Sequence, residues 1–233
     1  MGQRRFEAQR CADCGLHEPL CVCAERPRLE LETRVIVLQN NKERHKPTNT
    51  GRMLPQVLSN CELLYVGVRD VEFDASPLQR ADHDTLLIFP RVHDPEGARP
   101  RPAPVLSAQT FAERRAAKPD PIQTVVLLDG TWAQCSRMSR RLPALAEMPA
   151  FALPDGPISH WGVRTPSEPE RISTFEAAIR VIELAEGVEP AARMQIYFDR
   201  IAAAMQFMKA KLRSPEVPAE WITQRRARFG DLG

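Results

Sequence analysis

At 233 residues and 43% hydrophobic content, the chain is long enough to bury one well-packed domain with a small appendage. Its 32 basic and 30 acidic residues leave a formal net charge of +2, which excludes a polycation that grips nucleic acid with its whole surface. No apolar run reaches the length of a membrane span and residues 1–10 are charged rather than signal-like, so the expectation is a soluble, cytoplasmic protein with no membrane partner.

In chain order, the first feature is a cluster of four of the six cysteines: Cys11, Cys14, Cys21 and Cys23. In a reducing compartment such crowding signals metal more often than disulfide. Zinc prefers four thiolates in a tetrahedron, and a closed four-cysteine site is structural rather than catalytic. Cys11-x-x-Cys14 has the spacing of a zinc knuckle, Cys21-x-Cys23 is tighter, and His17 between the pairs is an alternative ligand. Residues 1–30 are therefore expected to form a zinc-binding segment ordered by its Zn(2+), since so short a stretch has no core of its own. The competing reading is a mobile arm of reduced thiols.

Residues 31–213 carry the main domain. Residues 33–39 are β-branched and predict a buried strand. A polar loop follows, then a helix start at residue 48 with Thr48 or Asn49 as cap and Pro55 in the first turn. Lys42, Arg44, Lys46 and Arg52 gather at this strand-to-helix junction, where a phosphate contact and a solvated loop are both open readings. Residues 62–68 and 85–89 are further strands, the latter closed by Phe89 and Pro90. Residues 94–104 and 154–169 are proline-rich loops, 106–117 a helix, and 123–128 a fourth strand. That strand ends in Leu128-Asp129-Gly130-Thr131-Trp132 and opens a helix over 131–142 bearing Arg137, Arg140 and Arg141.

Residues 150–153, ending at Leu153, suggest a fifth strand, and 164–167 an extended link. Ser173 and Glu176 have capping-box spacing at the start of the next helix. Met194, Tyr197, Ile201, Met205, Met208 and Leu212 recur at helical steps over 190–212 and predict one buried face. Residues 214–233 form a tail containing Arg225, Arg226 and Arg228, expected as a basic arm or a frayed end. Strands alternating with helices give an α/β class with a mainly parallel sheet flanked by helices. There is no Gly-x-Gly-x-x-Gly and no phosphate-loop Gly-Lys-Ser/Thr, which argues against an ordinary dinucleotide or NTPase site.

The cysteine cluster, Lys46-x-x-Asn49-Thr50-Gly51-Arg52, Asp129-Gly130-Thr131-Trp132-x-Gln134 and Ser173-Thr174-x-Glu176-Ala177 together resemble the DTW-domain family of tRNA-uridine aminocarboxypropyltransferases. They occur in that family's order across most of the chain. The departures are Asn40-Asn41, where the family often has His-Pro, and Cys135, where alanine is common.

The resemblance implies a SPOUT-like fold with a C-terminal trefoil knot. It implies S-adenosylmethionine as donor of its 3-amino-3-carboxypropyl chain, N3 of a tRNA uridine as acceptor, and 5′-methylthioadenosine as by-product. On this reading Asp129 and Trp132 are the catalytic candidates. Asp129 serves as general base, or instead caps the following helix or holds the donor's ammonium. Trp132 stacks on a base or adenine or faces the sulfonium, or instead packs in the core. Phe89, Pro90, Leu128, Gly130, Thr131, Trp132 and Leu153 are the expected cofactor-binding residues. Lys42, Arg44, Lys46, Arg52, Arg137, Arg140 and Arg141 are the expected tRNA-binding rim. Two alternatives remain: another donor-dependent RNA enzyme (a methyltransferase, or the same transfer to rRNA), and an inactive zinc-containing RNA-binding module. The oligomeric state is left open.

Overall fold

The apolar runs become the strands of one sheet. The computed structural model describes residues 9–92, 100–117, 121–163 and 172–232. Its strands are β1 (Arg34–Asn40), β2 (Cys61–Val66), β3 (His83–Ile88), β4 (Arg91–Val92), β5 (Arg101–Pro102), β6 (Ile122–Asp129) and β7 (Ala150–Phe151). Five of them form a sheet in the order β2-β1-β6-β3-β7, with every pairing parallel. Strands β4 and β5 form a separate antiparallel ribbon.

A parallel sheet is covered on both faces, so its strands are continuous apolar runs rather than alternating ones. In β6, at the sheet's centre, Val125 and Val126 are fully buried and Leu127 nearly so. The period of two then divides the strands between two cores. Val35, Val37, Leu86, Ile88, Val125 and Leu127 face one, and Ile36, Leu38, Leu87 and Val126 face the other.

The helices are α1 (Leu54–Val57), α2 (Ala108–Ala117), α3 (Trp132–Arg141), α4 (Pro143–Ala146), α5 (Thr174–Glu186), α6 (Val188–Met208) and α7 (Ala219–Phe229). Helices α3 and α4 cover the second core through Cys135, Met138 and Leu145. The larger core takes α1, α2, α5, α6 and α7, together with Cys14, Leu16 and Val22 of the cysteine segment. The expected stripe on α6 is buried at Met194, Tyr197, Ile201 and Met205, and so are Ala191, Phe198 and Ala202 beside it. The helix is apolar on several sides because α5, α7 and the cysteine segment all pack around it. It ends at Met208 rather than at 212.

Two expectations are corrected. The helix expected from residue 48 is a 3₁₀ turn, Gly51–Met53, followed by the single turn α1. Asn49 Oδ1 accepts the Arg52 N–H at 3.0 Å and so caps this first turn, while its amide nitrogen makes a tertiary contact described below. The basic tail is helix α7, docked through buried Trp221 and Phe229. His160 stacks on Trp221 with ring centroids 4.4 Å apart, and Arg225 donates to fully buried Asp199 at 2.8 Å. The expected link at 164–167 lies outside the described residues. No helix among the described residues is long and apolar enough to cross a membrane.

His160 makes this docking pH-dependent. Its Nδ1 lies 2.9 Å from Asp199 Oδ1 and its Nε2 2.9 Å from Gln224 Oε1. Burial disfavours its charged form, but hydrogen bonds to Asp199 and Gln224 and the charge of Asp199 outweigh this and raise its pKa. A raised histidine pKa contributes stability that is complete below about 6.5 and is lost as pH climbs through the raised folded-state value. His83 acts in the opposite sense: burial lowers its pKa, so it costs stability as pH falls below about 6.5. The stability gap between the unaltered chain and His160→Gln, measured by urea denaturation, is therefore expected to shrink between about pH 6 and pH 8.5.

Candidate functional site

The carboxyl ends of β1 and β6 are neighbours, with Gln39 in register with Asp129. The chain leaving β1 goes on to β2 on one side, and the chain leaving β6 goes on to β7 on the other. A parallel sheet opens a crevice where outgoing connections diverge in this way, and ligands of open α/β folds bind there. Asp129 ends β6 at this point. Gly130 follows, and Thr131 caps α3 in a capping box with Gln134: Gln134 N–H donates to Thr131 Oγ1, and Thr131 N–H to Gln134 Oε1 at 2.6 Å. The cap considered for Asp129 therefore belongs to Thr131, and the Asp129 carboxylate turns inward.

Asp129 is 3% exposed. Its Oδ2 accepts from Gln39 Nε2 at 2.7 Å and from Asn49 Nδ2, while Oδ1 accepts from Thr174 Oγ1 at 2.6 Å. Gln39 Nε2 also donates to Asn49 Oδ1 at 2.8 Å, which fixes both amides. Gly51 sits directly against the carboxylate, so closely that a Cβ there would lie 2.7 Å from Asp129 Cγ. Thr50 Oγ1 accepts the Phe175 N–H at the start of α5. One carboxylate thus joins β1, the turn at 49–53, the end of β6 and the first turn of α5.

The cysteine segment abuts this hub. The sulfurs of Cys11, Cys14, Cys21 and Cys23 all lie within 4.8 Å of one another, with Cys11–Cys23 at 3.7 Å and Cys14–Cys21 at 3.8 Å. A tetrahedron with Zn–S bonds of about 2.3 Å has S···S edges of about 3.8 Å, whereas a disulfide brings sulfurs to about 2.05 Å. The donor set and spacing fit a structural zinc ion. His17 is not part of the cluster; its backbone N–H donates to Met208 Sδ at 3.4 Å. The Cys14 N–H points at the Cys11 thiol and lowers its pKa to about 7, while burial pushes the Cys14 and Cys23 thiols up. Ionising all four together calls for a cation among them.

The model of the DTW domain matches residues 8–208. The chain belongs to the DTW domain family. Membership gives it a tRNA-modifying role in general terms. The two departures from the family pattern have structural accounts in this DTW domain. Asn40 Oδ1 accepts the Lys42 N–H at 3.2 Å and shapes the loop after β1. Cys135 is buried in the second core, its thiol directed at the Leu128 carbonyl and its pKa pushed up to about 12 by burial.

The remaining expected residues of the DTW domain differ in place and exposure. Trp132 is 39% exposed in the first turn of α3 and meets buried Phe89 with ring centroids 5.9 Å apart. Pro90 accepts from Ala103 N–H through its carbonyl at 3.1 Å. Leu128 and Leu153 are half-buried, packed against the two different cores, and Gly130 faces Gln134 and Asn40. Arg137, Arg140 and Arg141 are exposed along α3, and none pairs with a carboxylate among the described residues. Lys42 is exposed, Arg44 lies over the Tyr65 ring at 4.4 Å, and Lys46 pairs with buried Glu43 at 2.6 Å. Arg52 turns inward to the cysteine loop.

Sequence reasoning missed Gln39 as a hub member, since a glutamine near the end of a strand carries no local signal. It also missed a cavity of about 570 Å³ between residues 154–160 and α5–α7, lined by His160, Glu176, Arg180, Arg225 and Arg228 among others. Neither Asp129 nor Trp132 lines it.

Two measurements test the site. Asp129→Ala leaves the Gln39, Asn49 and Thr174 donors without their shared acceptor and is expected to cost about 3 to 5 kcal/mol in urea denaturation. Asp129→Asn can accept from both amides and donate to Thr174, and is expected to cost less than about 1.5 kcal/mol. Elemental analysis is expected to find about one zinc per chain, lost in the Cys11→Ser, Cys14→Ser double variant; undiminished zinc in that variant refutes the metal site.

Proposed function

We propose that this DTW domain transfers the 3-amino-3-carboxypropyl group of S-adenosylmethionine to N3 of a tRNA uridine, releasing 5′-methylthioadenosine, on a sheet of the knotted SPOUT type. The observation that carries the reading is the convergence of all four family motifs on one point. Asn49 and Thr174 hydrogen-bond Asp129 directly, and Arg52 joins the cysteine loop to them. Stretches so far apart in sequence meet at the strand switch point, where this fold class holds its ligands.

When bound, the donor supplies a sulfonium whose neighbouring carbons are already electrophilic. The residues have to fix which carbon meets the acceptor, which is catalysis by orientation. Exposed Trp132, backed by Phe89, offers an indole face to a nucleobase or to the cationic sulfur. Asp129 is buried and both its oxygens are engaged by donors of the chain, which favours positioning of the turn over abstraction of the uridine N3 proton. Lys42, Arg44 and Lys46 on one side and Arg137, Arg140 and Arg141 on the other lie on loops and helix leaving adjacent strands. In this reading they are the basic groups that would meet tRNA phosphates.

Mass spectrometry of tRNA nucleosides after incubation with donor, paired with analysis of the small product, tests this directly. Aminocarboxypropyluridine with 5′-methylthioadenosine is the expected result. S-adenosylhomocysteine identifies a methyltransferase, the same nucleoside in rRNA alone moves the acceptor, and unchanged RNA that still binds identifies a non-catalytic module. Trp132→Ala is expected to lower kcat/KM by about 10- to 100-fold, the worth of one stacking contact. Asp129→Asn is expected to keep turnover within about tenfold; a loss of about 10³ instead marks Asp129 as the base.

A further inference from the structure

Arg52, a phosphate contact on sequence grounds, is committed elsewhere. Its Nη1 donates to the Asp13 carbonyl at 2.7 Å and reaches the Ala12 carbonyl at 3.4 Å. Both carbonyls belong to the turn between Cys11 and Cys14. Gln56 donates to the same Asp13 carbonyl at 3.2 Å. Arg26, just past Cys23, closes the ring: its Nη1 donates to Gln56 Oε1 at 2.7 Å and to Asp13 Oδ2 at 3.2 Å. Gly15 makes room for this contact. Its φ is +76°, and a Cβ there would lie 2.5 Å from Arg52 Nη2.

The other end of Arg52 belongs to the hub. Its backbone N–H donates to Asn49 Oδ1 at 3.0 Å, and Asn49 Nδ2 donates to Asp129. Between the Asp13 carbonyl and the Asp129 carboxylate stand only Arg52 and Asn49. The Nε of Arg52 is also buried and has no partner among the described residues, so the guanidinium depends on the carbonyls of the cysteine loop. Those carbonyls belong to the turn that Cys11 and Cys14 bracket, and losing them leaves the half-buried guanidinium without its acceptors.

We propose that the four-cysteine metal loop braces the Asp129 hub through Arg52, so that metal occupancy and the order of residues 49–53 are thermodynamically linked. Arg52 is a positioning residue in this scheme. Linkage is reciprocal: the factor by which metal loss favours opening of the turn is the factor by which opening of the turn weakens metal binding. The coupling stands or falls independently of which group the domain transfers, because its test needs no substrate.

The test uses the full zinc-loaded chain and two readouts: the rate of zinc transfer to a chromophoric chelator, and amide hydrogen exchange followed peptide by peptide. Arg52→Met is expected to release zinc about tenfold faster, the effect of losing a charge-assisted hydrogen bond. Chelation is expected to raise exchange in the unaltered chain at 49–53 and in the first turn of α5, and to raise it no further in Arg52→Met. Arg52→Lys, which keeps the charge without the planar fork, is expected to fall between. Arg200→Ala, which breaks an exposed pair with Glu25 on the far flank of the cysteine loop, is expected to leave exchange at 49–53 unchanged.

Zinc release in Arg52→Met within about twofold of the unaltered chain overturns the proposal, being far short of the loss of such a bond. So does chelation-induced exchange confined to residues 11–26. If chelation opens the whole chain, visible as exchange in β6, the zinc-transfer rate of the folded, loaded variants decides alone.

Discussion

A single buried carboxylate sets the geometry of the sheet edge. Asp129 ends the central strand where water does not reach it, and a buried charge is tolerated only when its lone pairs are filled. The donors come from three other parts of the chain: the end of β1, the turn at 49–53 and the first turn of α5. Each is constrained in return. Gln39 must stand in register with Asp129, Gly51 must lack a side chain, and α5 must begin at Thr174 with its N-terminal dipole toward the charge. The Ser173–Glu176 capping box secures that start, and Glu176 extends the same logic outward. It accepts from Ser159 Oγ and from the His160 N–H, both at 2.7 Å, and so ties the chain that follows β7 to α5.

Much of this was legible in the residues. The strands were, because a sheet covered on both faces demands uninterrupted apolar runs and the chain has few others. The parallel α/β arrangement followed from their alternation with helices. The capping box of α5 was legible because its signal is local, and the cysteine cluster because thiols so crowded have few uses. Helix α7 was not, since only Trp221 and Phe229 face the core and the arginines between them suggest a solvated arm. Their partners, Asp199 and Glu183, lie on α6 and α5 and leave no mark on the local pattern. The turn at 49–53 was read as the start of a longer helix because a cap signal is local: Asn49 does accept the Arg52 N–H, but only a 3₁₀ turn and the single turn α1 follow it. Arg52 among neighbouring cations suggested phosphate, and only the fold reveals two backbone carbonyls waiting for it.

The kind of donor around Asp129 bears on what the edge attracts. Amides and a hydroxyl satisfy the carboxylate, and no cationic side chain hydrogen-bonds it among the described residues. Had an arginine filled that place, the pair would be close to neutral. With dipolar donors the negative charge is solvated but not cancelled, and in a poorly polarisable interior it projects further than it would in water. Lys42, Arg44 and Lys46 in the loop after β1, and Arg137, Arg140 and Arg141 on α3, are exposed. The proposed site thus combines a buried negative charge with exposed cations on the elements that leave the same two strands. On the transferase reading, that combination matches a ligand pair of opposite sign: a sulfonium held close to the strand ends, and a polyanion arriving over it from solvent.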